Sequence, residues 1–149
     1  MRLNNNKILV IVLSIFVLHF AACQKAKTHK KIEPAKIEQI EGSELCRVIL
    51  TEKAVDRLDI TTAAVYEEMI SHSPKELRKV VPYSSVIYDK HGNTWVYTNP
   101  EVRVFVRNKI TIDVIKGEKA FLSEGPPIGT KVVKVGAAEL YGAEFKIGH

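Results

Sequence analysis

Between Val80 and Val135 the chain carries seven short runs rich in β-branched and aromatic residues, and no other feature limits its fold so strongly. The runs are Val80-Val81, Ser85–Tyr88, Thr94–Thr98, Val102–Arg107, Ile110–Ile115, Ala120–Ser123 and Val132–Val135. Runs this short suit strands and fall below the length of a stable helix. The polar clusters Asp89-Lys90-His91-Gly92-Asn93, Arg107-Asn108-Lys109 and Lys116-Gly117-Glu118 leave room only for tight connections, which predicts antiparallel hairpins. Gly125-Pro126-Pro127-Ile128-Gly129 reads as a stiff turn, and Gly136 to Leu140 as a single helical turn.

Upstream, Arg47–Leu50 is a short apolar strand, and Thr51 is placed to cap a helix running to Leu58 with Glu52 in its first turn. Ile60–Tyr66 follows as a strand. Glu67–Lys79 is strongly polar and contains Ser73-Pro74, which suggests a loop or short helix. The expected fold is therefore a small, mainly β, antiparallel barrel-like domain with one or two short helices. Within Val102–Arg107 the valines at 102, 104 and 106 share one face, and Arg103, Phe105 and Arg107 share the other. That second face is the best candidate surface for a protein partner. Phe105, with Trp95 and Tyr97 on neighbouring strands, also fits a core position, the commoner place for such side chains.

The N-terminus carries a different signal. Arg2 and Lys7 precede the apolar run Ile8–Leu18, and Phe20-Ala21-Ala22 leads into Cys23. A basic start, a short apolar stretch and small residues before a cut mark a secretory signal, and the apolar stretch is short for a bilayer span. Phe20-Ala21-Ala22-Cys23 resembles a bacterial lipobox, which implies a signal peptide over 1–22 and an acylated Cys23. Gln24 in place of an aspartate slightly favours the outer over the inner membrane, with the domain on the periplasmic face. Residues 23–45 read as a lipid-anchored linker, since Gln24 to Glu41 is rich in Lys, Glu and Gln without a sustained apolar face. Deleting Gln24–Glu41 is expected to spare folding. The domain proper then spans 46–149. With Cys23 assigned to lipid, Cys46 has no partner for a disulfide and reads as a small buried residue.

Removing residues 1–22 leaves 20 basic against 17 acidic side chains, a net +3 that is too mild to argue for nucleic acid. No catalytic constellation is legible, and no cofactor or metal is expected. His29, His72, His91 and His149 each lack a second ligand at metal-binding spacing, and beyond Met1 only Met69 is available for a thioether site. The glycines form no phosphate-cradling loop.

Several ordered segments resemble one known family. Arg47–Thr51 with Ala54–Leu58 and Ile60–Thr62, then Val81–Asp89, then Gly92–Tyr97, Leu122–Thr130 and the stretch from Val133 to Phe145, are similar to the membrane-proximal domain of periplasmic adaptor subunits of resistance-nodulation-division efflux systems, the membrane fusion proteins. In that family a long insertion, holding a barrel-sandwich domain, a helical hairpin and a β-barrel domain, separates the segment ending near Val65 from the one beginning near Val80. Here Tyr66 to Lys79 spans the gap. Asp59 and Ser85 stand where the family commonly has Gly and Ala. The resemblance implies an accessory, adaptor-like module that is not an enzyme, held to the membrane by lipid and docking on an efflux pump or its full-length adaptor. Two other readings fit the same residues. One is a module that holds a metal ion or small hydrophobic compound and delivers it to a pump; the other is a remnant of a longer adaptor.

Overall fold

The computed structural model describes residues 33–70 and 76–146. The expected signal peptide, Cys23, the first part of the linker, His29, His72, Ser73-Pro74 and His149 lie outside the described residues. The rest is mainly β, as expected: an antiparallel sheet curled into a half-barrel, with two short α-helices.

The strands, in chain order, are β1 (Ala35–Gln39), β2 (Cys46–Leu50), β3 (Thr61–Ala64), β4 (Tyr66–Ile70), β5 (Glu76–Pro82), β6 (Ile87–Tyr88), β7 (Thr94–Glu101), β8 (Val104–Lys116), β9 (Lys119–Glu124) and β10 (Lys131–Val135). Helix α1 is Glu52–Arg57 and helix α2 is Ala137–Phe145, with a 3-10 turn at Tyr83–Ser85. The main order is β3-β10-β7-β8-β9-β5-β4, with β2 and then β1 added beside the first half of β8. The two end strands, β3 and β4, are separated in the chain by Val65 alone, so the chain itself joins the ends of the curl. Val65 is pinned at this corner, its N–H donating to Thr130 C=O (2.9 Å) and its C=O accepting from Gly129 N–H (2.8 Å).

Alternation along the central strands sorts the core into layers. Val96, Ile110, Val132, Val81, Ala120 and Leu122 gather with Val65 inside the curl. Tyr97, Phe105 and Val133, of opposite parity, face outward and are covered by α1, α2 and β2 through Ala54, Leu140, Ala137, Val48 and Leu50. Strands β7 and β10 are thus buried on both faces. The helices sit where the sequence permits them: Thr51 Oγ1 accepts from Ala54 N–H at 3.2 Å to cap α1. At the other helix Gly136, with φ near 90°, lets the chain turn sharply out of β10 into α2. Asp59 takes a left-handed conformation (φ 49°) after α1, a place where Asp is tolerated.

Three sequence expectations are corrected. Arg107-Asn108-Lys109 is no turn but the middle of the 13-residue β8, paired with Tyr97, Val96 and Trp95. Glu67–Ile70 and Glu76–Lys79, read as loop or short helix, are strand: β4 and β5 pair antiparallel with Glu67 opposite Lys79 and Glu68 opposite Arg78, so opposite charges face each other across the pair. The last part of the expected linker is also structured, because Ala35–Gln39 pairs along its whole length with β2. Ala35 and Ile37 pack against the helix-side core. Deletion through Glu41 therefore removes a strand and is not expected to be neutral. More simply, Ile37→Ala is expected to lower the unfolding free energy by about 1–2 kcal/mol, the value of a partly buried isoleucine. An unchanged urea midpoint would return this segment to the role of tether.

Candidate functional site

The three residues proposed as a partner surface do not form one. Arg103 lies in the turn before β8 with φ 63°, exposed, while Phe105 is only 2% and Arg107 8% exposed. Both point into the helix-covered layer, and the alternating valines face the other way. The inversion has a physical cause in α2. Glu144 reaches back to β8, where its Oε1 lies 3.3 Å from both Nε and a terminal nitrogen of Arg107. Its Oε2 accepts a 2.5 Å hydrogen bond from the Tyr97 hydroxyl. The guanidinium also lies 4.1 Å from the Trp95 ring centre and 5.0 Å from that of Phe145. A carboxylate, a phenol and two aromatic faces thus replace the water that Arg107 leaves behind. Burial, foremost, and the neighbouring Glu144 push the Tyr97 hydroxyl far above the ordinary tyrosine range, with Arg107 acting in the opposite sense. This cluster fastens α2 to the sheet.

Trp95 extends the cluster to the β6–β7 turn. Its indole Nε1–H donates to Asp89 Oδ2 at 3.0 Å, and Asn93 Nδ2 donates to the same oxygen at 2.9 Å. Asp89 Oδ1 accepts from the backbone N–H groups of His91 (2.8 Å) and Asn93 (2.9 Å). The Asn93 side chain, first, and then these other donors hold the Asp89 carboxyl far below the usual carboxylate range, against an opposing effect of desolvation. The folded-state pKa is depressed, so the stabilisation is present above the unfolded value near 4 and is lost as pH falls below it. Comparing wild type with Asp89→Asn by urea unfolding, we expect the stability gap at pH 7 to narrow progressively below about pH 4. A gap unchanged down to acid pH would contradict this role.

A surface suited to a partner lies elsewhere. A groove of about 650 Å³ is lined by Tyr66, Pro82, Tyr83 and Ser84 together with Gly117, Glu118, Lys119, Lys134 and Val135. Tyr66, Tyr83 and Val135 are each about 40% exposed, a concentration of apolar side chains in one concave place. Lys119 is paired with Glu68 at 2.6 Å, whereas Lys134 has no ion pair among the described residues. The sequence reading missed this groove because its residues come from β4, the end of β5, the 3-10 turn, the β8–β9 turn, the start of β9 and β10. Only the curl of the sheet brings them together. A separate, more open hollow of about 330 Å³ is lined by Tyr88, Gly92, Asn93, Thr94 and residues 109–112.

Among the described residues there is no group of three or more His, Cys, Asp or Glu able to hold a metal ion. Cys46 is a half-buried free thiol whose Sγ lies 3.3 Å from Gln39 Oε1. No helix among the described residues is long and apolar enough to cross a membrane. No protein-family model, curated protein or solved structure matches the chain.

Proposed function

We propose that the chain is a non-enzymatic docking module, anchored by lipid at Cys23 on the periplasmic face of a bacterial membrane, that seats against a resistance-nodulation-division pump or its full-length adaptor. One observation carries this reading. Strands β2 and β3 come from the first adaptor-like segment, yet each pairs with a strand of the second: β2 with β8 and β3 with β10. The segments around the expected insertion thus complete one another, as two halves of a single interrupted domain would. Where the family's insertion would begin and end, the chain runs directly from β3 into β4 and back through β5.

A chain with this short hairpin cannot reach from one membrane to the other, so its action in this reading is local. The groove beside β10 is the assigned contact. Tyr66, Tyr83 and Val135 suit an apolar side chain of the pump, and Lys134 suits a carboxylate next to it. The function is tested by mild crosslinking and pull-down of the native protein from membranes, with Cys23→Ala as control. A pump or full adaptor enriched only with the lipidated form is the expected result. Recovery of no transporter component from well-expressed protein would overturn the proposal.

A further inference from the structure

We propose that β1 is a self-pairing edge through which two copies of this chain join their sheets about a two-fold axis at Ile37. Among the described residues β1 pairs only with β2, which leaves its other side open. The ladder fixes which backbone groups face that side. Thr51 N–H donates to Pro34 C=O at 3.0 Å, and Ile40 N–H donates to Leu45 C=O at 3.1 Å. In an antiparallel pair every second residue exchanges hydrogen bonds with its partner strand, so Lys36 and Glu38 spend theirs on β2. The N–H and C=O groups of Ala35, Ile37 and Gln39 point away from it, toward the open edge.

A second copy supplies an identical edge, and side-chain charge then selects one register. Centring the pair on Lys36 would set Lys36 opposite its own copy, and centring it on Glu38 would set two carboxylates together. Centring on Ile37 instead places Lys36 opposite the second copy's Glu38, twice by symmetry. It also aligns all three outward-facing residues: Ala35 with Gln39, Ile37 with itself and Gln39 with Ala35. The same five-residue sequence thus satisfies backbone and charge in one arrangement only. Within one copy Lys36 and Glu38 already lie side by side, 2.6 Å apart and substantially exposed, so the pair is available on the surface and alternates in sign along the edge. An edge carrying Lys resists indiscriminate strand addition, which confines pairing to a partner with the matching charge order. The contact is isologous, as a two-fold dimer requires, and small, so the dimer is a weak one.

Sedimentation velocity of the full-length chain in detergent, over a concentration series, tests this. Wild type is expected to show a reversible monomer–dimer equilibrium. Lys36→Glu and Glu38→Lys each set like charges opposite one another and are expected to weaken the dimer about tenfold or more. An equimolar mixture of the two variants is expected to restore it as a heterodimer, an outcome that a mere folding defect cannot produce. A wild type that stays monomeric throughout overturns the proposal. So does a dimer that is indifferent to both reversals, or one that the mixture fails to restore.

Discussion

Replacing Glu144 by alanine is expected to lower the unfolding free energy by about 3–5 kcal/mol, the cost of leaving a buried ion-pair partner alone. The Glu144 side chain is 3% exposed and that of Arg107 10%, so neither charge is screened as a surface pair would be. Removing the carboxylate leaves the guanidinium between two aromatic rings with no anion. It also leaves the Tyr97 hydroxyl, on a residue with 0% exposure, without its 2.5 Å acceptor. Glu144→Gln keeps an acceptor for Tyr97 while discarding the charge, and should fall between wild type and alanine. Urea unfolding followed by the fluorescence of Trp95, which stacks on the same guanidinium, reads the effect directly. A loss below about 1 kcal/mol, the value of an exposed pair, would show that α2 is held by its apolar contacts alone.

Gly136→Ala is the second large effect, expected at about 2–4 kcal/mol from two additive causes. The residue has φ near 90°, which an L side chain rarely adopts, and an added Cβ would overlap Ile60 Cδ1. Ile60 packs against the helix-side core, so its movement disturbs Leu58 and the start of β3 as well as the entry to α2. Shortening Ile60 to valine removes the atom in closest conflict but not the backbone strain. The double variant Gly136→Ala with Ile60→Val should therefore recover only part of the loss. Full recovery would assign the whole effect to the clash, and no recovery would assign it to the backbone.

Local features were legible where local physics decides them. Thr51 announces α1 because a hydroxyl at that place satisfies an otherwise orphaned N–H. The Asp89–Asn93 turn was equally visible, because Asp and Gly supply the hydrogen bonds and the backbone freedom that a tight turn requires. The misreadings share a different cause. Arg107 looks solvent-facing because the residue that makes its burial possible, Glu144, is 37 positions away. The polar triplet Arg107-Asn108-Lys109 resembles a turn, yet it sits within β8 just before that strand changes partners from β7 to β9. Ala35 and Ile37 are too few to betray a strand within a Lys- and Glu-rich segment, and their burial depends on the core beneath them. The charged β4–β5 hairpin reads as a loop until Glu67 and Glu68 are set opposite Lys79 and Arg78.

The same non-locality hid the groove. Tyr66, Tyr83 and Val135 carry no motif, and only the joining of β3 to β4 at Val65 and the curl of the sheet place them around one hollow. We propose this groove as the contact with an efflux transporter, and site-specific photo-crosslinking would read that contact in the cell. A benzophenone amino acid placed at Tyr83 in the groove, and separately at Val102, which is 84% exposed and outside it, should be activated in intact cells. A covalent adduct with a pump or adaptor subunit is expected from position 83 and none from position 102. No transporter adduct from position 83, or equal adducts from both positions, would contradict it.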